Sequence, residues 1–274
     1  MLFRSAWNNL LTKHVTVLRG GQASEVDYTA MAREREVLQA YLGALSQVSL
    51  AEFDLASPAD QLAFLINAYN AWTVELILTK YPDIESIKDL GSLFRSPWSR
   101  AFIPILGETR SLDDIEHKLI RGSDRYRDQR IHFAVNCASI GCPALRNEAY
   151  TAEKLDSQLQ DQLQLFLADR SRNRVKNSEL QVSSIFKWYR EDFEKGWGGS
   201  VSLTQFFLQN SSALGLSEDE VLRLQAGEIA IAYLDYDWRL NNRASQSWTL
   251  SSVWGRTRTC LKRSAINRPE AWQT

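Results

Sequence analysis

Apolar residues recur at helical spacing over residues 32–48, where Val37, Leu38, Tyr41, Leu42, Leu45 and Val48 mark one face and predict an amphipathic helix. The next segment, "SPADQLAFLINAYNAWTVELILTKYP", carries end signals at both sides: Ser57 can cap, Pro58 suits the first helical position, and Pro82 lies just past the end. Nearly every side chain between them is apolar, so this helix should be buried on most sides. Asn67 and Asn70 are the exceptions. Residues 83–110 read as irregular, punctuated by Gly91, Pro97, Pro104 and Gly107. In "SLDDIEHKLIRG", Ser111 and Asp114 form a capping-box pair and Gly122 ends a short helix.

Farther along, 130–136 reads as a buried strand and 151–169 as an amphipathic helix with Leu155, Leu159 and Leu163 on its face. "ELQVS" predicts a short strand and "IFKWYREDFE" an aromatic helix. Helices around 201–213 and 217–225 follow, then a closing strand in "EIAIAYLDYDWRLN". No repeat or low-complexity linker interrupts the pattern. It predicts one helix-rich α+β domain with a small β-sheet over residues 1–242, including N-terminal helices, and a peripheral polar tail over 243–274.

Composition narrows the functional classes. The 274 residues carry 32 Lys and Arg against 33 Asp and Glu, so net charge makes no case for nucleic acid as a partner. No apolar run reaches the roughly 20 residues that span a bilayer. The N-terminus lacks the apolar core of a secretory signal, which predicts a cytoplasmic protein unless a leader has been removed. Three cysteines are too few for a disulfide scaffold. Metal binding is disfavoured, because the two close cysteines have no second pair and no helical His-x-x-x-His. There is no phosphate loop and no Gly-x-Ser-x-Gly elbow, and no cofactor is expected.

The chemistry concentrates in "IHFAVNCASIGCPAL". On a strand, Ile131, Phe133 and Val135 would share one face and His132, Ala134 and Asn136 the other. Cys137 would then emerge at the strand end, with small residues Ala138, Ser139 and Gly141 leaving room for a substrate. A buried cysteine acting as a small hydrophobe is the commoner case. A nucleophile needs a partner that lowers its pKa or takes its proton. Of the three histidines, His14 is expected at the surface. His132 is set aside, because five residues of extended chain carry its side chain to the opposite face from Cys137. His117 flanks the buried face formed by Leu112, Ile115, Leu119 and Ile120, and Glu116 falls inside that face. A buried glutamate needs a partner, either an arginine or an imidazole that it orients. Asn67 and Asn70 either bridge backbone in the 83–110 segment, or orient a catalytic histidine or line a substrate cleft.

Taken in order, "FLINAYNAWTVELIL", "SLDDIEHKLIR", "IHFAVNCASIGCPALRNEAYTAEKLDSQL", "SSIFKWYREDF" and "YLDYDWRLN" resemble the DUF547 family of uncharacterised proteins, from about residue 25 to residue 242. The resemblance implies a cysteine-dependent enzyme with Cys137 and His117 as the pair, a cysteine-peptidase-like core being one form the fold can take. Some similar sequences replace the cysteine at position 142 by another small residue, which favours Cys137 as the reactive one. Bacterial relatives often carry export signals, and this chain departs from that pattern.

The leading expectation is a hydrolase or acyl transferase acting on a small peptide-like or thiol-containing substrate. Cys137 attacks, His117 activates it, and Glu116, Asn67 or Asn70 orients the imidazole, with Asn136 and Ser139 in support. A dithiol–disulfide redox protein using Cys137 and Cys142 ranks second, since the four-residue gap is wider than thioredoxin-like spacing. A non-catalytic module that binds through its aromatic surface ranks third.

Overall fold

The computed structural model describes residues 2–243 apart from 93, 94 and 124, with side chains from Ser5 onward. The expected polar tail, with Cys260, lies outside the described residues.

The chain opens with α1 (Leu2–His14), a hairpin of β1 (Val15–Leu18) and β2 (Ala23–Val26), α2 (Tyr28–Arg33) and α3 (Arg35–Ser46). The single helix expected over 32–48 is therefore two, divided at Glu34. Glu34 is held out of the helix by the Lys13 ammonium and by His14, whose Nε2 lies 3.1 Å from Glu34 Oε1. His14 is thus buried, not a surface residue. After α4 (Leu50–Leu55) comes α5 (Pro58–Leu78), capped by Ser57 on the Asp60 amide as its sequence predicts, and buried along most of its length. The irregular segment that follows contains a small hairpin of β3 (Ile103–Ile105) and β4 (Glu108–Arg110). The Ser111–Asp114 capping box then starts a helix over Asp114–Arg121 that winds as a π-helix.

Residues 130–136 are not a strand. Gln129–Phe133 form a 3₁₀ turn started by Asp128, whose side chain accepts from the Arg130 amide. The turn serves two cores at once. Ile131, Ala134 and Val135 enter a first core with α1, α3 and α5, whereas Phe133 enters a second core with Phe166, Phe186, Phe193, Phe206 and Phe207. A strand alternating between two faces cannot divide its apolar residues this way. The remaining elements build the second core: α6 (Leu155–Ala168), β5 (Arg174–Lys176), β6 (Glu179–Ser183), α7 (Ile185–Trp188), α8 (Arg190–Glu194), α9 (Leu203–Gln209), α10 (Ser211–Leu214), α11 (Glu218–Gln225) and β7 (Ala230–Leu234). β6 pairs antiparallel with β5 and parallel with β7. The architecture is a helix-rich α+β domain, with three small sheets among the described residues. No helix among the described residues is long and apolar enough to cross a membrane.

Candidate active site

The loop after the 3₁₀ turn is fixed by amides rather than by a sheet. Asn70 of α5 donates from Nδ2 to the Ala134 carbonyl (2.9 Å), and its Oδ1 accepts from the Asn136 N–H (2.8 Å). Asn67, one turn earlier, brackets Tyr150 in the same way, donating to its carbonyl (2.8 Å) and accepting from its N–H (3.0 Å). Both amides bridge backbone as one sequence reading allowed, but the backbone is that of residues 134–150, not of 83–110. Asn136 closes the loop on itself: Nδ2 donates to the Pro143 carbonyl and Oδ1 accepts from the Ala138 N–H. Ala138 sits at φ +59°, a conformation costly for a residue with a Cβ and held here by that bond.

The segment after β7 completes the site. Ile140 and Gly141 donate to the carbonyls of Arg239 and Asp237, and Asn241 donates to that of Ala138. This brings Tyr236 against the loop. A Cβ on Gly141 would lie 2.9 Å from the Tyr236 ring, so only glycine permits the approach.

Cys137 is half-buried at the centre. Its Sγ lies 2.8 Å from Cys142 Sγ, 3.1 Å from the Tyr236 hydroxyl and 3.2 Å from Ser139 Oγ. Its own N–H donates to Cys142 Sγ (2.9 Å), and both cysteines are free thiols. Burial works against a charged sulfur, but hydrogen bonds from Cys142, Ser139 and Tyr236 outweigh it and bring Cys137 down to about 7. Cys142 moves the opposite way, raised by burial and by the neighbouring Cys137 sulfur. Tyr236 is likewise raised by burial and by the Cys137 charge, so it remains a donor. The thiols are thereby differentiated: Cys137 ionises first and Cys142 gives it a hydrogen bond. A cavity of about 390 Å³ adjoins the loop, with Ser139, Cys142, Arg172 and Tyr236 in its wall.

Residues 53–167 match the model of the DUF547 family, described as a protein of unknown function. This segment belongs to the DUF547 family. No curated protein and no solved structure matches the chain. The DUF547 segment holds Asn67, Asn70, Glu116, His117, His132, Asn136, Cys137, Ser139 and Cys142, and it ends before Tyr236.

Among the described residues no histidine is a hydrogen-bond partner of the Cys137 sulfur. His117 is exposed, its Nδ1 accepting from Arg121 Nη1 (2.9 Å) and its Nε2 3.8 Å from Asp113. Glu116 is buried, and its Oε1 has no hydrogen-bond partner among the described residues. His132 is wholly buried, with Nε2 2.8 Å from Asp192 Oδ2 and its ring stacked on Tyr189 at 4.0 Å between centroids. The argument that set His132 aside fails, because it assumed a strand.

Tyr236, Tyr189 and Asp192 were passed over in the sequence as site residues. Their only signal was their place in the aromatic stretches "FKWYREDF" and "YDW", which read equally well as core. No group of three or more His, Cys, Asp or Glu side chains among the described residues is arranged to hold a metal.

Proposed function

We propose that the protein is a thiol-dependent enzyme in which Cys137 is the nucleophile and Cys142 the resolving thiol, acting on disulfides of peptide-like or other thiol-containing substrates. The observation that carries this reading is the 2.8 Å separation of the two sulfurs, with Cys137 the more acidic. In the first step the Cys137 thiolate attacks one sulfur of a substrate disulfide. A mixed disulfide forms and the other substrate sulfur leaves as a thiolate, which takes a proton from solvent. Cys142 then loses its proton and attacks Cys137 Sγ, releasing the second substrate thiolate and leaving a Cys137–Cys142 disulfide. Two electrons pass from the protein dithiol to the substrate, and two equivalents of an external thiol, themselves oxidised to a disulfide, restore the protein dithiol. Ser139 and Tyr236 stabilise the thiolate that attacks first.

The test is trapping. With a small aromatic disulfide as substrate, Cys142→Ser should accumulate a mixed disulfide on Cys137, detectable by mass, whereas wild type should release both thiols and gain the internal disulfide. An unmodified Cys137 in both proteins would overturn the proposal.

Acyl transfer or hydrolysis through Cys137, the chemistry of a cysteine-peptidase-like core, is the second reading. It is favoured by the two hydroxyl donors of Ser139 and Tyr236 at the sulfur, which are suited to an oxyanion. An activated ester that acylates Cys137 and turns over in Cys142→Ser would select this reading instead.

A further inference from the structure

The cavity of about 390 Å³ beside the Cys137 loop has walls that the thiol chemistry does not use. Ser139, Cys142 and Tyr236, the three groups touching Cys137 Sγ, all line it, so its interior is one side chain away from the attacking sulfur. Small-molecule sites run from roughly 300 to 1,000 Å³. This one is at the lower end, the size of an amino acid or a short peptide.

The charges in the wall do not cancel in place. Arg19, from the β1–β2 turn, and Arg172, shortly after α6, bind the same oxygen of one buried carboxylate: Arg19 Nη2 is 2.9 Å and Arg172 Nε 2.8 Å from Asp169 Oδ2. Two guanidiniums against one carboxylate leave an excess of one positive charge. Arg172 is committed further, since its Nη1 donates to the Gly141 and Cys142 carbonyls. Arg19 has no partner beyond Asp169 among the described residues, and its side chain is half exposed. Its remaining N–H groups keep the planar fork that matches a carboxylate. Carboxylates line the cavity as well. Asp237 is taken by Arg239 (2.6 Å), whereas those of Glu25 on β2 and Asp235 just after β7 have no hydrogen-bond or ion-pair partner among the described residues.

Two amides in the wall repeat the pattern. Asn241, 2% exposed, accepts from the Tyr28 hydroxyl at Oδ1 and has no acceptor for Nδ2; half-buried Asn242 has no donor for Oδ1. Buried polar atoms normally find partners. The cavity therefore holds spare donors and spare acceptors together. The hairpin register sets Leu18 opposite Ala23, which puts Arg19 and Glu25 roughly 10 Å apart along the strands.

We propose that this cavity selects small zwitterionic disulfides, molecules of amino-acid or short-peptide size that carry both a free carboxylate and a free ammonium. Arg19 holds the carboxylate and Glu25 or Asp235 the ammonium, with Asn241 Nδ2 and Asn242 Oδ1 as the neutral donor and acceptor. A partner of one sign only satisfies one set and is repelled by the other. The inference rests on disulfide exchange at Cys137 and adds the substrate class.

The test compares four small disulfides against the reduced wild-type protein. Cystine carries both charges, dithiodipropionate only carboxylates, cystamine only ammoniums, and bis(2-hydroxyethyl) disulfide none. The rate of Cys137–Cys142 disulfide formation is read by mass after acid quenching. Each rate is divided by that of the same disulfide with 2-mercaptoethanol, which removes differences between leaving thiols. Cystine should be about tenfold faster than the uncharged disulfide, the effect of a charge-assisted hydrogen bond. Attraction by net charge alone would not favour cystine, whose charges sum to zero. Arg19 is the residue to change, because Arg172 also holds the Cys142 carbonyl. Arg19→Gln should lower the dithiodipropionate-to-cystamine ratio about tenfold, and Glu25→Gln combined with Asp235→Asn should raise it about as much. General damage to the fold slows both disulfides alike and leaves the ratio where it was. Equal corrected rates for the four disulfides, or ratios unmoved in both variants, would overturn this substrate class and leave exchange at Cys137 standing. No reaction with any of the four, and an unmodified Cys137, would overturn the exchange reading and the substrate class with it.

Discussion

Cys137 and Cys142 are five positions apart in one loop, yet their environments push them in opposite directions. Cys137 is met by three hydrogen-bonding partners and is drawn down to about 7, below the roughly 8.5 of a free cysteine. Cys142 receives a backbone N–H but is buried beside a sulfur that becomes charged, and it is raised. Timed alkylation with peptide mapping should therefore find Cys137 modified first, with a rate midpoint near pH 7, and Cys142 modified slowly at that pH. Equal rates, or a faster Cys142, would contradict the hydrogen-bond assignment. Tyr236→Phe deletes one of the stabilising donors, so the Cys137 midpoint should move upward while the fold, in which the ring still packs, stays intact. The residues that create this difference were only partly legible. The sequence advertised Cys137 and Ser139 by the small residues around them, whereas Tyr236, 99 positions away, comes to the sulfur through a chain return that no local pattern encodes.

At the scale of elements, α5 works as a ruler for the reactive loop. Its end signals and its unbroken apolar character were plain in the sequence, and so was the oddity of two asparagines inside it. Their partners were not, because an amide offers the same donor and acceptor to any backbone brought beside it. Asn70→Ala leaves the Ala134 carbonyl and the Asn136 N–H buried without partners. Urea denaturation should register a loss of roughly 1–3 kcal/mol, and Cys137 alkylation should slow as the loop loosens. Asn67→Ala should cost a similar amount, again roughly 1–3 kcal/mol, with less effect on Cys137, since it holds Tyr150. An unchanged urea midpoint for either variant would mean that water satisfies the backbone instead. Gly141→Ala probes the other wall of the site: the added methyl meets the Tyr236 ring at 2.9 Å, so Tyr236 must withdraw and the alkylation midpoint should rise as in Tyr236→Phe.

For the whole molecule, the site lies along the segment that feeds both the first core and the phenylalanine-rich second core. Asp192 ties the π-helix and the 3₁₀ turn to α8 through Arg121 and His132. Burial opposes its charge, but those two hydrogen-bonding partners overcome this and hold the carboxyl well below the ordinary range. A carboxyl with a depressed folded-state pKa stabilises fully above its unfolded value, about 3.9, and the contribution fades as pH falls below that. Stability should therefore drop steeply in acid below about pH 4. Asp192→Asn should be less stable than wild type at pH 7, with the gap narrowing in acid. A gap that stays constant from pH 7 to pH 3 would show that the ion pair contributes nothing.

By itself the sequence determined the helical α+β class, the capped ends of α5 and of the π-helix, and the peculiarity of the Cys137 loop. Each of these is written in neighbours within a few positions, through apolar spacing, caps and small residues. Tertiary structure decided that 129–133 turns instead of extending, since two cores compete for Ile131 and Phe133. It decided that His14 is buried, because Glu34 reaches it across a helix break. It also decided that the thiol meets a second thiol and a tyrosine, with the imidazoles elsewhere. Those outcomes depend on which distant surfaces pack together, and on which buried polar atoms then find a donor or remain without one.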